Sequence, residues 1–207
     1  MKKYLLILVL TVLSVGVAGA QKSKAPRQYY TAAWSVSLPV FDYSDYIPSV
    51  SVNGAVFQIQ FLVQENISVG VSFGWNTYYS EVPNTLYSPS PEIAVSGTGY
   101  RYLHAMPLKA SVNYFFGTTP KFKPYIGLGL GAAYMTEHAA VQQVHFRDAQ
   151  WGFLAAPEIG VFIPLPYRLG IHFSANYTVS LNTFNFGKIQ LNSIHTVGLA
   201  AGISYLL

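Results

Sequence analysis

From Ile67 to Asn76 the chain alternates without a break. Ile67, Val69, Val71, Phe73 and Trp75 occupy the odd positions, and Ser68, Gly70, Ser72, Gly74 and Asn76 the even ones. A helix would mix the two sets around its axis, whereas a strand puts each set on its own face. Leu169, Ile171, Phe173, Ala175, Tyr177 and Val179 repeat the pattern against Gly170, His172, Ser174, Asn176 and Thr178. The alternation predicts strands with one apolar face and one face of small or polar groups.

Eight such segments can be placed: Tyr30–Val40, Ala55–Gln64, Ile67–Tyr79, Tyr100–Phe116, Tyr125–Met135, Gln150–Ile163, Arg168–Leu181 and Ser193–Leu207. The connections alternate in length. Short ones fall at Glu65-Asn66, Gly117–Pro124 and Pro164–Tyr167, and long ones at Phe41–Gly54, Ser80–Gly99, Thr136–Ala149 and Asn182–Asn192. Short turns at one end and long loops at the other are the habit of outer-membrane barrels. With an even number of strands, both chain ends fall on the short-turn side.

Composition decides which face points outward. Asp, Glu, Lys and Arg make up 10% of the chain, hydrophobic residues 51% and aromatics 15%. With the apolar faces inward, the outside would be Ser, Gly, Gln, Asn and Ala with scarcely a charge, which solubility disfavours. With the apolar faces outward, roughly forty side chains, the large ones worth ~1.5–3 kcal/mol each, favour acyl tails over water. The expectation is an all-β, eight-stranded, antiparallel up-and-down transmembrane barrel. Cys is absent, which excludes a disulfide framework and a thiolate site.

Lys2 and Lys3 precede an apolar run from Tyr4 to Val17, which ends in Val17-Ala18-Gly19-Ala20. A charged start, a short apolar middle and a small-residue exit read as a secretory signal cleaved after Ala20. The organisation expected is a signal peptide at 1–20, a periplasmic segment at 21–29 and the barrel at 30–207. Losing Lys2 and Lys3 lowers the formal charge from +4 to +2, so the basic balance is no nucleic-acid signal. Secretion and the wall pattern together predict the bacterial outer membrane, with both termini periplasmic.

Trp75, Tyr78, Tyr79, Tyr100, Tyr102, Tyr134 and Trp151 fall near the long-loop ends. Tyr114, Phe115, Phe116, Tyr125, Tyr167 and Tyr205 fall near the short-turn ends. They are expected as two interfacial girdles. Charges also separate. Lys22, Lys24, Arg27, Lys121, Lys123 and Arg168 against Glu65 make the short-turn side net positive. Arg101, Arg147 and Lys188 against Asp42, Asp45, Glu81, Glu92, Glu137 and Asp148 make the loop side net negative. Outer-membrane phospholipid and lipopolysaccharide are the expected surroundings.

Lys123-Pro124-Tyr125-Ile126-Gly127-Leu128-Gly129-Leu130-Gly131-Ala132-Ala133-Tyr134 is a Pro-Tyr-x-Gly-x-Gly-x-Gly strand after a short turn. With the final strand from His195 to Leu207 it resembles the small eight-stranded outer-membrane barrels of the OmpA/OmpX type. The resemblance implies insertion by the barrel-assembly machinery, which reads the final strand. It is silent on activity, because such scaffolds serve as pores, adhesins, structural proteins and enzymes.

The expected lumen face holds few charges. Lys109 lies on the fourth segment and Glu158 on the sixth, and Gly127, Gly129 and Gly131 between them leave room for an ion pair. Gln58, Gln60, His172, Ser174 and Asn176 would join it through hydrogen bonds. Such a network either fills the bore or gates a narrow conductance; eight strands are just wide enough for side chains to fill. His172-Phe173-Ser174 resembles the pair used by barrel lipid A deacylases. No Asp or Glu follows Ser174, and a lumen-facing pair is hidden from a lipid ester, so no catalytic residue is assigned. His104, His138 and His145 lack metal spacing, and the glycines lack the helix that a phosphate loop needs, so no metal or cofactor is expected.

The role expected is non-enzymatic: envelope structure or contact with a larger outer-membrane complex. The rival roles are a narrow pore, a hydrophobic-solute channel and a lipid-modifying enzyme. Val82, Leu86, Tyr87, Ile93 and Val95 make 80–99 unusually apolar for a solvent loop. Leu86 and Tyr87 are the expected partner contacts.

Overall fold

The computed structural model describes residues 28–41, 43–44, 47–90, 93–116, 122–141, 144–181, 184–186, 189–191 and 193–207. Side chains at 82–90, 93–97, 139, 141, 144–146, 184–186 and 189–191 lie outside the description. The expected signal peptide at 1–20 and residues 21–27 of the expected periplasmic segment also fall outside it.

The strands are β1 (Gln28–Val40), β2 (Ser51–Gln64), β3 (Ile67–Ser90), β4 (Ile93–Phe115), β5 (Lys123–Val141), β6 (Val144–Pro164), β7 (Leu169–Leu181), β8 (Phe184–Phe186), β9 (Ile189–Leu191) and β10 (Ile194–Leu206). Eight of them close a barrel in the order β1-β10-β7-β6-β5-β4-β3-β2, while β8 and β9 form a separate two-stranded hairpin. Every pairing is antiparallel, so the topology is up-and-down. The seam is complete from Tyr29↔Leu206 to Val40↔His195.

Alternation fixes the wall. Trp34, Phe57, Val71, Leu108, Leu128, Ile159, Phe173 and Leu199 face outward and are exposed, while Ser35, Gln58, Ser72, Glu158, His172 and Ser204 face inward and are buried. Such a surface suits hydrocarbon, and closure satisfies the backbone groups that hydrocarbon cannot. Trp34 stands near the middle of β1, where an indole N–H would lack water. The ladder between β1 and β2 shifts register between Ser35 and Ser37. Trp34 Nε1 donates to the Val52 carbonyl at 2.7 Å, so the ring satisfies its own donor and a wall carbonyl together.

Three features differ from the sequence reading. The described residues of 80–99 and 136–149 are strand, not long loop. The β3–β4 ladder continues to Ser90↔Ile93 and the β5–β6 ladder to Val141↔Val144. Apolar residues around Val82 and Leu86 suit a strand, which accounts for a segment too apolar for a solvent loop. A membrane crossing needs ~9–11 residues, whereas β3 and β4 have 24 and 23.

Second, Tyr78, Phe115 and Tyr125 do not join the girdles. Each is at most 4% exposed and faces the lumen. Trp75, Tyr79, Tyr100, Tyr102, Tyr114, Phe116, Trp151, Tyr167 and Tyr205 are exposed, as girdle residues must be. Third, the β1–β2 connection closes the mouth: Tyr43 and Ile47 are buried, with the Tyr43 ring edge-on to Tyr78 at 5.7 Å.

Leu199 lies mid-wall on β10. Leu199→Arg should cost about 2–4 kcal/mol, and Tyr205→Arg near the short-turn rim about 0–1 kcal/mol. Urea unfolding in phospholipid vesicles measures both, and equal costs would mean that the apolar belt does not sit in hydrocarbon.

Candidate functional site in the lumen

The lumen is layered. At the short-turn end Tyr29, Phe115, Tyr125 and Phe162 form an aromatic cluster. Tyr29 stacks on Phe162 at 5.4 Å, and Phe115 meets Tyr125 at the same distance. Above it lies the polar network. At the mouth Tyr43, Ile47, Tyr78, Leu103, Met135, Leu154 and Ile194 form an apolar cap.

Lys109, Glu158, His172, Gln58, Gln60 and Asn176 all reach the lumen. Lys109 Nζ stands 3.6 Å from Glu158 Oε2, with both side chains nearly buried. Two intervening glycines make the network possible. A Cβ at Gly129 would lie 2.8 Å from Lys109 Cδ, and one at Gly160 would lie 2.5 Å from the Tyr125 ring. The lysine stem and the phenol ring occupy the space these glycines vacate.

Tyr125 is the member that the sequence reading assigned elsewhere. Its hydroxyl donates to Glu158 Oε1 at 2.5 Å and meets His172 Nε2 at 2.6 Å. One hydroxyl proton cannot serve both partners. With it given to the carboxylate, His172 Nε2–H donates back to the phenol oxygen. The imidazole stacks on Tyr125 at 5.5 Å with an interplanar angle of 9°, and its Nδ1 has no hydrogen-bond partner among the described residues. Gln60 Nε2 donates to Ser111 Oγ at 2.6 Å, and Ser68 Oγ donates to Gln60 Oε1 at 3.1 Å. Asn176 sits higher, where its Oδ1 accepts from Thr178 Oγ1 at 3.2 Å.

Around Gln58, Gln60, Lys109, Asn113 and Glu158 no water-sized space remains. Between that layer and the cap lies a cavity of about 60 Å³, lined in part by Ser37, Ser72, Asn76 and Tyr78. It has room for roughly four to six waters. Among the described residues the bore is therefore packed at the ion pair and at both ends.

His172 and Ser174 both face inward and are at most 8% exposed. His172 Nε2 is engaged by Tyr125. Neither group meets the bilayer. Among the described residues no group of His, Asp and Glu is arranged to hold a metal. Leu86 and Tyr87 pair with Ser96 and Val95 in the β3–β4 ladder. Their side chains lie outside the described residues, as do Asp42, Asp45 and Lys121.

No family model and no curated protein matches the chain. Solved structures do. Neisserial surface protein A superposes with a TM-score of 0.57 at 13% identity, over 89% of this chain and 100% of that one. The outer membrane protein OprG from Pseudomonas aeruginosa gives 0.50 at 12% identity, over 88% and 97%. The outer membrane protease OmpT from Escherichia coli gives 0.50 at 6%, over 91% and 100%. The chain has the fold of the small outer-membrane β-barrels, a likeness of architecture at these identities.

Removing one partner of a buried pair leaves a stranded charge. Lys109→Met and Glu158→Leu should each cost about 3–5 kcal/mol, and the double variant far less than their sum. Tyr125→Phe should cost about 1–3 kcal/mol by stranding Glu158 and His172. Urea unfolding of the four-member cycle checks this, and additive costs would dissolve the ion pair.

Proposed function

We propose that this protein is a non-enzymatic component of the bacterial outer membrane that presents an extended sheet to a larger envelope complex. Both termini and the short turns face the periplasm. The β3–β4 and β5–β6 hairpins project outward among lipopolysaccharide. The barrel-assembly machinery inserts it, with β10 as the closing strand.

One observation carries this reading: β3, β4, β5 and β6 stay paired well beyond the membrane wall. The pairs Tyr100↔Ala140 and Ala140↔His145 join both hairpins into one four-stranded sheet. Of the 24 residues of β3, roughly thirteen to fifteen lie beyond a crossing's length, about 45 Å of strand. The two sides of this sheet differ. Among the described residues β3 has no ladder partner on its β2 side beyond Trp75, and β6 has none on its β7 side before Phe153. Side chains blunt the β3 edge near the rim: Ser51 Oγ accepts from Thr77 N–H at 3.0 Å, and Ser49 Oγ donates to the Tyr79 carbonyl. Open edges are ready templates for pairing with another chain. The packed lumen supports the same reading over a pore, and the inward His172 and Ser174 support it over lipid hydrolysis.

A photo-cross-linking residue at Tyr87 in intact cells should trap one defined envelope protein, and one at the lipid-facing Val112 should not. Leu86→Ser with Tyr87→Ser should lower recovery of that protein several-fold without altering barrel stability. The purified barrel should give no discrete steps in planar bilayers. Steady single-channel conductance would favour the pore, and identical adducts at both positions would remove the partner reading.

A further inference from the structure

The outer wall is not evenly filled. An open apolar groove of about 700 Å³ crosses β5, β6, β7 and β10, from Phe116 and Pro124 at one end to Trp34 and Val36 at the other. Two small outward residues form its floor. Ala201 lies in register between Trp34 and Phe173, and Ala175 lies between Leu199 and Ile159. Trp34 is held as a fixed bank by its bond to Val52.

The groove has the reach of one leaflet. From Phe116 to Trp34 it spans five strand spacings, about 24 Å at ~4.8 Å each. With strands tilted by ~40°, that path rises about 15 Å, or half of a ~30 Å hydrocarbon core. Its low end is at the short-turn rim, since Phe116 follows β4 directly. Its high end is at mid-wall, since Trp34 stands six residues above Gln28.

Charge marks the low end. The charged groups among the described short-turn residues are Lys123, Arg168 and Glu65. Lys123 opens β5 with the inward parity of Tyr125, facing the buried Phe162 across the ladder, whereas Arg168 sits exposed in the turn that joins the groove strands β6 and β7. Glu65 belongs to the β2–β3 turn. Tyr167 and Arg168 both have positive φ, 62° and 63°, the requirement of a type I′ hairpin turn, and both are exposed at the rim.

We propose that the groove is a phospholipid site: an acyl chain of the short-turn leaflet lies along Ala175 and Ala201, and its phosphate sits at Arg168. A flexible chain can follow a concave diagonal path, whereas a second barrel presents a convex wall that cannot enter it. Phosphate beside Arg is a charge-assisted contact at the membrane surface. The site rests on the wall being embedded in a bilayer and is independent of the partner reading of the projecting sheet.

Native mass spectrometry of the barrel released from phosphatidylglycerol nanodiscs tests this. The wild-type protein should keep one phosphatidylglycerol at collision energies that strip the annular lipid. Ala175→Leu with Ala201→Phe fills the floor and keeps the wall apolar, so the lipid-bound fraction should fall at least tenfold. Arg168→Ala leaves the wall untouched and should lower it at least threefold, which keeps the proposal testable if the filled variant fails to insert. Val71→Phe, on the wall of β3, should leave it unchanged. A wild-type barrel that retains no lipid, or a retained dimer without lipid, would overturn the site. So would retention indifferent to both the filled variant and Arg168→Ala, or lost equally on Val71→Phe.

Discussion

Hydrocarbon offers no hydrogen-bond partner, so every backbone amide within the membrane has to find one inside the protein. The seam between β1 and β10 is what meets this demand, because without it the sheet would present two unsatisfied edges to lipid. Its pairing runs unbroken from Tyr29↔Leu206 to Val40↔His195. The regions where the ladders are irregular show how strictly the demand is met. Where β1 and β2 slip register mid-wall, the Val52 carbonyl is taken up by an indole rather than left to the acyl chains.

Closure at eight strands also fixes the bore, and the bore then dictates the lumen. A cylinder this narrow cannot carry a large inward group at every position of every strand. The chain answers by pairing large with absent: the Lys109 stem passes over Gly129, and the Tyr125 ring lies over Gly160. Burying Lys109 and Glu158 is expensive by itself, and a hydrophobic pair of similar volume often does as well or better. What the charges add is direction. Glu158 is held by Lys109 and by the Tyr125 hydroxyl, and that hydroxyl orients His172, so four strands are tied to one arrangement. A greasy filling would allow more than one.

The wall was legible because its signal is a period, and a period survives ignorance of the fold. The Lys109–Glu158 pair was legible for the same reason, since both residues share parity with small polar neighbours on adjacent strands. Tyr125 was misplaced because it was assigned by nearness to a strand end. Its parity is that of Gly127, Gly129 and Gly131, which already marked it as inward. Phe115 shares parity with Lys109, Ser111 and Asn113, and Tyr78 with Ser72, Gly74 and Asn76. Apolar residues inward at both ends of the bore seal it against water, a need that no local pattern states. The Tyr43–Ile47 cap is a contact between distant segments and leaves no periodic trace. Above the rim the strands have water on both sides, so the apolar-polar rhythm that marked their membrane portions gives way and the hairpins read as loops.

That same release from hydrocarbon explains where a binding edge can be placed. Within the wall an unpaired strand edge costs several kcal/mol for each bare polar group. Beyond it, water satisfies the same groups until a partner strand displaces it, so the edge is tolerable when free and useful when paired. On the proposed reading the β3–β6 sheet uses this difference. Its inner pairings are continuous with the barrel, which gives the projection a rigid base, while its flanking edges open just where β2 and β7 end their ladders. At the β3 flank, near the rim, Ser49 and Ser51 occupy the backbone groups that would otherwise be bare. On that reading the capacity to recruit another chain increases with height above the membrane, set by where solvent replaces lipid as the partner of the peptide bond.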